Sequence, residues 1–271
     1  MDSEDTPPPL EIRWSGVTDT GRFRNNNEDA FLALDFDARE VRYLGKDGAG
    51  TMERNDFVFA VSDGMGGAKA GEVASKIAVE KITRLLPASF RLGASRLETG
   101  FADVLGEIFS ETHASLRDLG INYEECRGMG ATLSLCWFLP GWMTFGHVGD
   151  SRIYYLPRDG EMIQVSDDHS YVGKLVRKGE INERQARAHP KRNVLTQVLG
   201  GRSHKVEPQI GRVGCNRGDR FLICSDGLVD GMWDRRIDAM ARGELSAPAL
   251  VDYAVEESGR DNTTAVLVEI G

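Results

Sequence analysis

Residues 59–67 read FAVSDGMGG, an apolar run of strand character that ends at Asp63 and is followed by glycine at three of the next four positions. Residues 221–228, FLICSDGL, repeat the arrangement around Asp226. Each stretch places a carboxylate at the end of a buried strand, and the glycine after it leaves the backbone open to close approach. If the strands align, these carboxylates converge on one site.

The segments around these stretches predict an α+β fold, with layered antiparallel sheets and helices in separate runs. Apolar residues at steps of three and four predict helices at 69–86, ended by Pro87, and at 97–119. The last strand is apolar on both faces, which indicates a central position in its sheet. The predicted strands are 11–18, 30–36, 56–62, 131–138, 142–148, 152–156, 161–165, 220–224 and 263–270, with a third helix at 247–258 and a loop or hairpin insert at 37–55.

Composition narrows the class of protein. The chain has 271 residues, 41% of them hydrophobic, and a net charge of −9, which argues against a nucleic-acid binder or a protein that binds anionic membranes. No run of about 18 apolar residues is present, and the acidic, proline-rich residues 1–10 are typical of a disordered tail rather than a secretory signal. The four cysteines show no C-x-x-C spacing, so a thiolate metal site is not expected. These features favour a cytoplasmic protein.

Acidic residues recur at the ends of predicted strands, and they are the strongest chemical signal in the chain. Glycine patterns typical of nucleotide-binding loops are absent. Two carboxylates about 4 Å apart repel by roughly 4 kcal/mol at an effective dielectric constant of 20, so a cluster needs protons, basic partners or cations. Oxygen ligands select Mg²⁺, Mn²⁺ or Ca²⁺. A single Asp-Gly pair is more often a turn; the recurrence favours a cation site, formed by Glu28, Asp29, Asp63, Asp150, Asp226 and Asp261.

Arg24 lies four residues before Glu28 in the stretch GRFRNNNED. An arginine binds phosphate through two parallel hydrogen bonds. Alone it would be interpreted as part of a surface ion pair, but beside a metal site it is a candidate anchor for a substrate phosphate.

Taken together, these stretches resemble the PPM family, the metal-dependent Ser/Thr protein phosphatases similar to protein phosphatase 2C, in their compact bacterial form. The matching segments follow the family order from about residue 12 to residue 270. They are TDTGRFRNNNEDA, FAVSDGMGGAKAGE, GMGATL, HVGDSR, SDDHS, NVLTQVLG, GDRFLICSDGLVD and DNTTAVLV.

The resemblance implies a four-layer α-β-β-α sandwich of two antiparallel sheets flanked by helices, with two Mg²⁺ or Mn²⁺ ions at one end of the sheets. Each site residue takes its implied role from its position in the matching segments. Asp63 would bridge the two ions, the Gly64 carbonyl would bind one of them, Asp226 and Asp261 would bind the other, Glu28 and Asp29 would hold water on the ions, Asp150 with Asp226 could hold a third ion, and Arg24 would bind the phosphate.

The implied activity is hydrolysis of phosphoserine and phosphothreonine in proteins, by attack of a hydroxide that bridges the metals. The expected partners are phosphorylated proteins, substrates of a Ser/Thr kinase. The expected organisation is a monomer with a single domain at 11–271 and a flap at about 170–195. Two alternatives remain open: an inactive relative that binds a phosphoprotein or a kinase, and a metal-dependent hydrolase of a small phosphoester.

Met65 departs from the animal members of the family, which carry a histidine at this position as a candidate general acid. The proton for the leaving group must then come from a metal-bound water or another group. His147, His169 and His189 are candidates only by their neighbourhood in the sequence, and for each of them a structural hydrogen-bonding role is favoured.

Overall fold

A computed structural model describes residues 9–271 apart from residues 38, 54, 67–68 and 94–99, and it describes only the backbone of residues 87–93. Two antiparallel sheets form the centre of the molecule. The six-stranded sheet contains β1 (Glu11–Asp19), β4 (Asp47–Thr51), β9 (Arg152–Leu156), β10 (Ile163–Gln164), β13 (Arg220–Cys224) and β14 (Thr263–Ile270). The eight-stranded sheet contains β2 (Asp29–Phe36), β3 (Val41–Tyr43), β5 (Asp56–Met65), β6 (Gly130–Ala131), β7 (Leu133–Leu139), β8 (Trp142–Val148), β11 (Leu199–Gly200) and β12 (Gln209–Gly214).

Seven α-helices and one 3-10 helix lie in the described part of the chain. They are α1 (Ala70–Gly93), α2 (Gly100–Asn122), α3 (Tyr171–Arg177), α4 (Glu183–Arg187), α5 (Asp226–Gly231), α6 (Asp234–Ala241) and α7 (Ala247–Glu257), with the 3-10 helix at Glu124–Cys126. Helices α1 and α2 pack against the eight-stranded sheet, and α5, α6 and α7 pack against the six-stranded sheet. A third apolar core fills the space between the sheets. The predicted four-layer α-β-β-α sandwich is therefore confirmed.

Strand β14 shows why the middle of the six-stranded sheet is so apolar. Every residue of Thr263–Ile270 is buried, and the strand pairs with β1 on one side and β13 on the other. Both of its faces are covered, because one core lies between the sheets and another lies beneath the helices. The predicted central position is confirmed, and it places the start of β14 beside the ends of β1 and β13.

One predicted helix boundary is wrong. Pro87 does not end α1, because the helix continues to Gly93. A proline inside a helix removes one backbone hydrogen bond and costs about 3 kcal/mol or more. The proline lacks only its own amide donor, so the neighbouring hydrogen bonds can carry the helix past it. Ile82 and Leu86 in the preceding turn are fully buried in the core beneath the eight-stranded sheet. The second predicted helix extends to Asn122, and its first three residues, 97–99, lie outside the described residues.

The predicted flap, residues 170–195, carries α3 and α4. Ser170 caps α3 by accepting a hydrogen bond from the Gly173 amide, and a capping box at Asn182 begins α4. An isolated bridge between Ser170 and Leu195 closes the base of the segment. Of the predicted tail, residues 1–8 lie outside the described residues, whereas Leu10 packs against the core between the sheets.

Candidate metal centre

Strand register brings two of the predicted carboxylates together. Strands β2 and β5 are antiparallel partners, and Asp29 lies directly opposite Asp63. The Asp63 amide donates to Thr132 Oγ1 at 2.9 Å, and the Thr132 amide donates to the Asp63 carbonyl at 2.8 Å. These bonds tie both backbone groups of Asp63 to the segment between β6 and β7, which leaves the Asp63 carboxylate directed at its acidic neighbours.

Asp29 is the most buried of the six predicted acidic residues. Its Oδ2 atom accepts hydrogen bonds from Ser225 Oγ and Thr264 Oγ1, both at 2.7 Å. Its Oδ1 atom is buried and has no hydrogen-bond partner among the described residues. Burial raises the pKa of Asp29 to about 6, although both hydroxyl groups lower it. An unpartnered, buried carboxylate oxygen is unfavourable unless a proton or a cation satisfies it.

Burial and neighbouring negative charges raise the pKa values of Asp63, Asp226 and Asp150. Burial raises the pKa of Asp63 well above its usual value, and the charges of Asp29, Asp226, Asp150 and Asp261 raise it further, in that order. Burial also raises the pKa of Asp226 well above its usual value, with Asp150 the strongest charged neighbour. Asp150 reaches a pKa of about 7, chiefly through burial and then through the charge of Asp168. Repulsion of this kind shows that the side chains predicted from separate strand ends do converge.

Asp261 and Glu28 complete the cluster on the side of the Arg24 loop. Arg24 Nη2 lies 2.7 Å from Asp261 Oδ2, so the candidate phosphate anchor is ion-paired with a candidate metal ligand. The Asn262 side chain organises the loop: its Oδ1 accepts from the Glu28 amide at 2.7 Å, and its Nδ2 donates to the carbonyls of Thr20 and Asn26 at 2.8 and 2.9 Å. Burial raises the pKa of Glu28.

Gly64 lies where two backbone segments meet. Its amide donates to the Glu28 carbonyl at 3.0 Å. A Cβ atom at this position would lie 1.9 Å from the Gly71 carbonyl oxygen and 2.9 Å from the Glu28 carbonyl oxygen. Any side chain is therefore excluded at Gly64, because the Gly71 and Glu28 backbones pack against it; that the Gly64 carbonyl binds a metal stays a prediction.

The residues fit a divalent cation chemically, although they do not form a ready-made ligand set. No three Asp, Glu, His or Cys side chains in the described part of the chain are placed to hold an ion as they stand. Asp261 is engaged by Arg24 instead. The unpartnered Asp29 Oδ1 and the mutual repulsion of the carboxylates call for positive charge, and a donor set made only of oxygen suits Mg²⁺ or Mn²⁺.

A prediction about stability follows from these pKa shifts. The folded-state pKa values of Asp29 and Asp150, about 6 and about 7, exceed the unfolded value, so in the metal-free folded protein these two groups bind more protons than they do in the unfolded chain. Their contribution to stability falls as pH rises from about 4 to about 7. A divalent cation removes this penalty, so we expect Mn²⁺ to raise Tm more at pH 7.5 than at pH 5.5.

Thermal unfolding with EDTA and with Mn²⁺ at both pH values measures this difference. Groups outside the cluster contribute equally to Tm with and without the ion, so their effects cancel in the Mn²⁺-dependent shift. Asp37 and Glu72, whose pKa values are lowered by hydrogen bonds, are examples. An equal Mn²⁺-dependent shift at both pH values would contradict the expectation.

A cavity of about 330 Å³ adjoins the cluster on the side of the flap. Asp150 and Asp226 line one part of it, and Arg187 and Arg192 of the flap line another. Arg152 forms a part-buried ion pair with Asp168 at 2.8 Å in the wall of this cavity. The cavity provides space for a substrate group next to the carboxylates.

Several residues that shape the centre were missed by sequence reasoning: Thr132, Asp168, Ser225, Asn262 and Thr264. Four of them lie at or near the end of a strand, and Asp168 lies between β10 and α3. The hydrogen bonds of each orient a site residue or a neighbouring loop. A polar residue in an otherwise buried strand is a signal that could have identified Thr264, and Ser225 lies between β13 and a predicted carboxylate. The partner of each one is visible only in three dimensions.

The three histidines considered as general acids have structural bonds. His147 is fully buried, with both ring nitrogens hydrogen-bonded within the protein. His169 Nδ1 accepts from the Gly149 amide at 3.3 Å. His189 Nδ1 accepts from the Lys191 amide at 3.0 Å. The structural role favoured from the sequence agrees with these contacts.

The fold and the centre together define a class: a two-sheet sandwich with a carboxylate cluster at one end of the sheets. The family model described as "Protein phosphatase 2C" matches residues 27–263. The chain belongs to the protein phosphatase 2C family, as the resemblance predicted.

Curated relatives agree with this assignment. The chain is 33% identical over 267 residues to the serine/threonine protein phosphatase PstP of Mycobacterium tuberculosis, a match that covers 96% of this chain and 45% of PstP. It therefore spans about half the length of that relative. It is also 32% identical over 245 residues to the serine/threonine phosphatase stp of Listeria innocua, covering 86% of this chain and 93% of the relative.

Solved structures share the whole architecture. The crystal structure of PstP from Mycobacterium tuberculosis matches with a TM-score of 0.77 at 31% identity, covering 96% of this chain and 98% of that one. The phosphatase Stp1 from Staphylococcus aureus matches with a TM-score of 0.79 at 29% identity, covering 95% and 94%. A structure of the PstP catalytic domain, in complex with two manganese ions, matches with a TM-score of 0.76 at 29% identity, covering 96% and 99%. In the described part of this chain, no helix is long and apolar enough to cross a membrane.

Proposed function

We propose that this protein is a metal-dependent protein serine/threonine phosphatase that hydrolyses phosphoserine and phosphothreonine in proteins. The observation that carries the proposal is the convergence of five carboxylates from separate segments, Asp29, Asp63, Asp150, Asp226 and Asp261. The pKa values of Asp63 and Asp226 are raised by burial and then by the charges of the other carboxylates. The names of the relatives and the manganese ions of the PstP catalytic domain support the same activity and the same class of cofactor.

The residues divide into those that hold cations and those that orient them. Two Mg²⁺ or Mn²⁺ ions would be held by Asp63, the Gly64 carbonyl, Asp226 and Asp261, and a third by Asp150 with Asp226. When bound, such ions lower the pKa of water and neutralise charge on a phosphoryl group. Glu28 and Asp29 would retain water around the ions, and Asp29 is oriented for this by the hydroxyl groups of Ser225 and Thr264.

Arg24 would bind the phosphate. Its side chain is 47% exposed and its guanidinium lies beside Asp261, so it can reach both the cluster and the solvent. Two parallel hydrogen bonds from a guanidinium place a phosphoryl group precisely and add positive charge where the transition state is most negative. Binding phosphate requires Arg24 to exchange its bond with Asp261 for bonds to the substrate.

The decisive experiment is phosphate release from a phosphothreonine peptide, with EDTA, with Mn²⁺ restored, and with an Asp226→Ala variant. The proposed function requires turnover that EDTA abolishes, Mn²⁺ restores and the variant lacks. Absence of turnover in a protein that binds Mn²⁺ tightly would instead favour a phosphoprotein-binding relative. Turnover of p-nitrophenyl phosphate without turnover of the peptide would favour a small phosphoester as substrate.

An Arg24→Gln variant tests the exchange of partners. We expect kcat/KM for the phosphothreonine peptide to fall about tenfold or more, because a charge-assisted pair of hydrogen bonds to the phosphate is lost. Mn²⁺ affinity should rise, by up to about fivefold, because a partly exposed ion pair contributes up to about 1 kcal/mol and no longer competes for Asp261. Isothermal titration with Mn²⁺ measures the second effect. A lower Mn²⁺ affinity in the variant would contradict the competition.

Other features of the organisation stay predictions of the sequence. They are a single phosphatase domain over 11–271, a monomeric state, a cytoplasmic location, and the absence of nucleic-acid and membrane partners. The phosphoprotein substrates are proposed only as a class, the products of a Ser/Thr kinase.

A further inference from the structure

The turn that carries Asp150 has an unusual backbone. Gly149, just before Asp150, has a φ of +117°, and a Cβ atom there would lie 2.5 Å from the Cβ of Thr132. Positive φ and this close contact both exclude a side chain, so the direction of Asp150 depends on how the Gly149 peptide groups are held. Two histidines hold them.

His147 binds the turn through its imidazole ring. Its Nε2 lies 3.0 Å from the Gly149 carbonyl and 3.1 Å from the Asp167 carbonyl, and its Nδ1 lies 2.9 Å from Ser134 Oγ. Two carbonyl acceptors require a proton on Nε2, so Nδ1 must accept from the Ser134 hydroxyl. Burial lowers the pKa of His147 to about 4, which keeps the ring in this neutral form. His147 thus joins the Asp150 turn to Asp167, which precedes the flap.

His169 binds the same turn through both its ring and its backbone amide. Its Nδ1 accepts from the Gly149 amide at 3.3 Å, and its own amide donates to the Gly149 carbonyl at 2.6 Å. The His169 carbonyl accepts from the Thr196 amide at 2.7 Å. Residues 167–169 enter the flap and Thr196 leaves it, so both ends of the flap are linked to Gly149. The two imidazole rings lie 5.1 Å apart.

We propose that His147 and His169 are positioning residues that hold the Asp150 turn and both ends of the flap in one fixed arrangement. We name this unit, His147, Gly149 and His169, the histidine clamp. Its described bonds go to the backbone of Gly149, Asp167 and Thr196 and to the Ser134 hydroxyl, so it acts on the reaction through other residues. The consequence for catalysis rests on the proposed function, in which Asp150 binds a cation and the flap borders the substrate cavity.

Two substitutions at His147 distinguish the effect of its hydrogen bond to the turn from the effect of side-chain packing. In His147→Gln the side-chain amide nitrogen lies as many bonds from Cβ as Nε2, so it can still donate to the carbonyls of Gly149 and Asp167. In His147→Asn the side-chain oxygen takes the place of Nδ1 and can accept only from Ser134, so the bond to the turn is lost. The two variants are similar in polarity and differ by one methylene.

Hydrogen exchange of the metal-free protein tests the clamp without ion or substrate. We expect exchange in residues 149–150, 167–171 and 194–197 to be about tenfold faster in His147→Asn than in the wild type, as one lost buried hydrogen bond implies. In His147→Gln it should stay within about threefold of the wild type. Exchange in α7 and β14 reports on global unfolding in the same samples.

Kinetics supply the second measurement. KM for a phosphothreonine peptide should rise several-fold in His147→Asn and recover in His147→Gln, whereas KM for p-nitrophenyl phosphate should change less than twofold, because a small ester needs no contact with the flap. Equal exchange in the two variants would overturn the clamp, as would faster exchange with an unchanged peptide KM. An inactive wild type would overturn the proposed function alone, since exchange would still report on the clamp.

Discussion

An Asp63→Asn variant should lose phosphopeptide turnover by at least about a thousandfold. Asp63 lies opposite Asp29 in the strand register. The charges of Asp29 and of three further carboxylates raise its pKa. A neutral amide removes one negative charge and one bridging oxygen from the centre of the proposed metal site. Steady-state assays of phosphate release from a phosphothreonine peptide with Mn²⁺ measure the loss.

The same variant should fold at least as stably as the wild type when metal is absent. The Asp63 backbone bonds to Thr132 do not involve the carboxylate, and removing a charge relieves repulsion in the cluster. Tm in EDTA should therefore be equal or higher, and Mn²⁺ should raise it less than in the wild type. Asp252→Asn, an exposed change on α7, is the matched control and should leave both turnover and Tm unchanged. Turnover within tenfold of wild type would remove Asp63 from the bridging role.

A Gly64→Ala variant should lose both stability and activity. The added Cβ would lie 1.9 Å from the Gly71 carbonyl oxygen, and backbone rather than a flexible side chain would have to move. Overpacking of this kind costs typically 1–3 kcal/mol, and a displacement of about 1 Å at a reacting centre costs about a hundredfold in rate. We expect Tm to fall by about 5 °C or more and kcat to fall by about a hundredfold.

Gly214→Ala is the matched control for Gly64→Ala. Gly214 also lies in a strand of the eight-stranded sheet, and a Cβ atom there would have no heavy atom outside its chain neighbours within 4 Å. We expect Tm and kcat of this variant to stay close to those of the wild type. If both glycine variants behaved alike, close backbone approach at Gly64 would not be the cause.

Short-range patterns account for what could be predicted correctly. Alternation and turn signals located the hairpins at β7–β8 and β9–β10, and the unbroken apolar run located β14 at the centre of its sheet. The carboxylates were recognisable because each follows or precedes a strand. The prediction that α1 ends at Pro87 is wrong for a different reason: a proline removes only one backbone hydrogen bond, and the helix continues past it to Gly93.

The sequence by itself determined the order of the elements, the residue types at strand ends and, through its complete set of segments, the family. Those properties depend on local periodicity and on side-chain chemistry, and both can be read directly from neighbouring residues in the sequence. Only the tertiary structure decided which groups meet: Arg24 with Asp261, Asp29 with Ser225 and Thr264, and the Asp150 turn with its two histidines. Partners more than 190 residues apart, such as Asp29 and Ser225, are selected by strand register and by the requirement that buried polar atoms be satisfied, and neither acts until the sheets have packed.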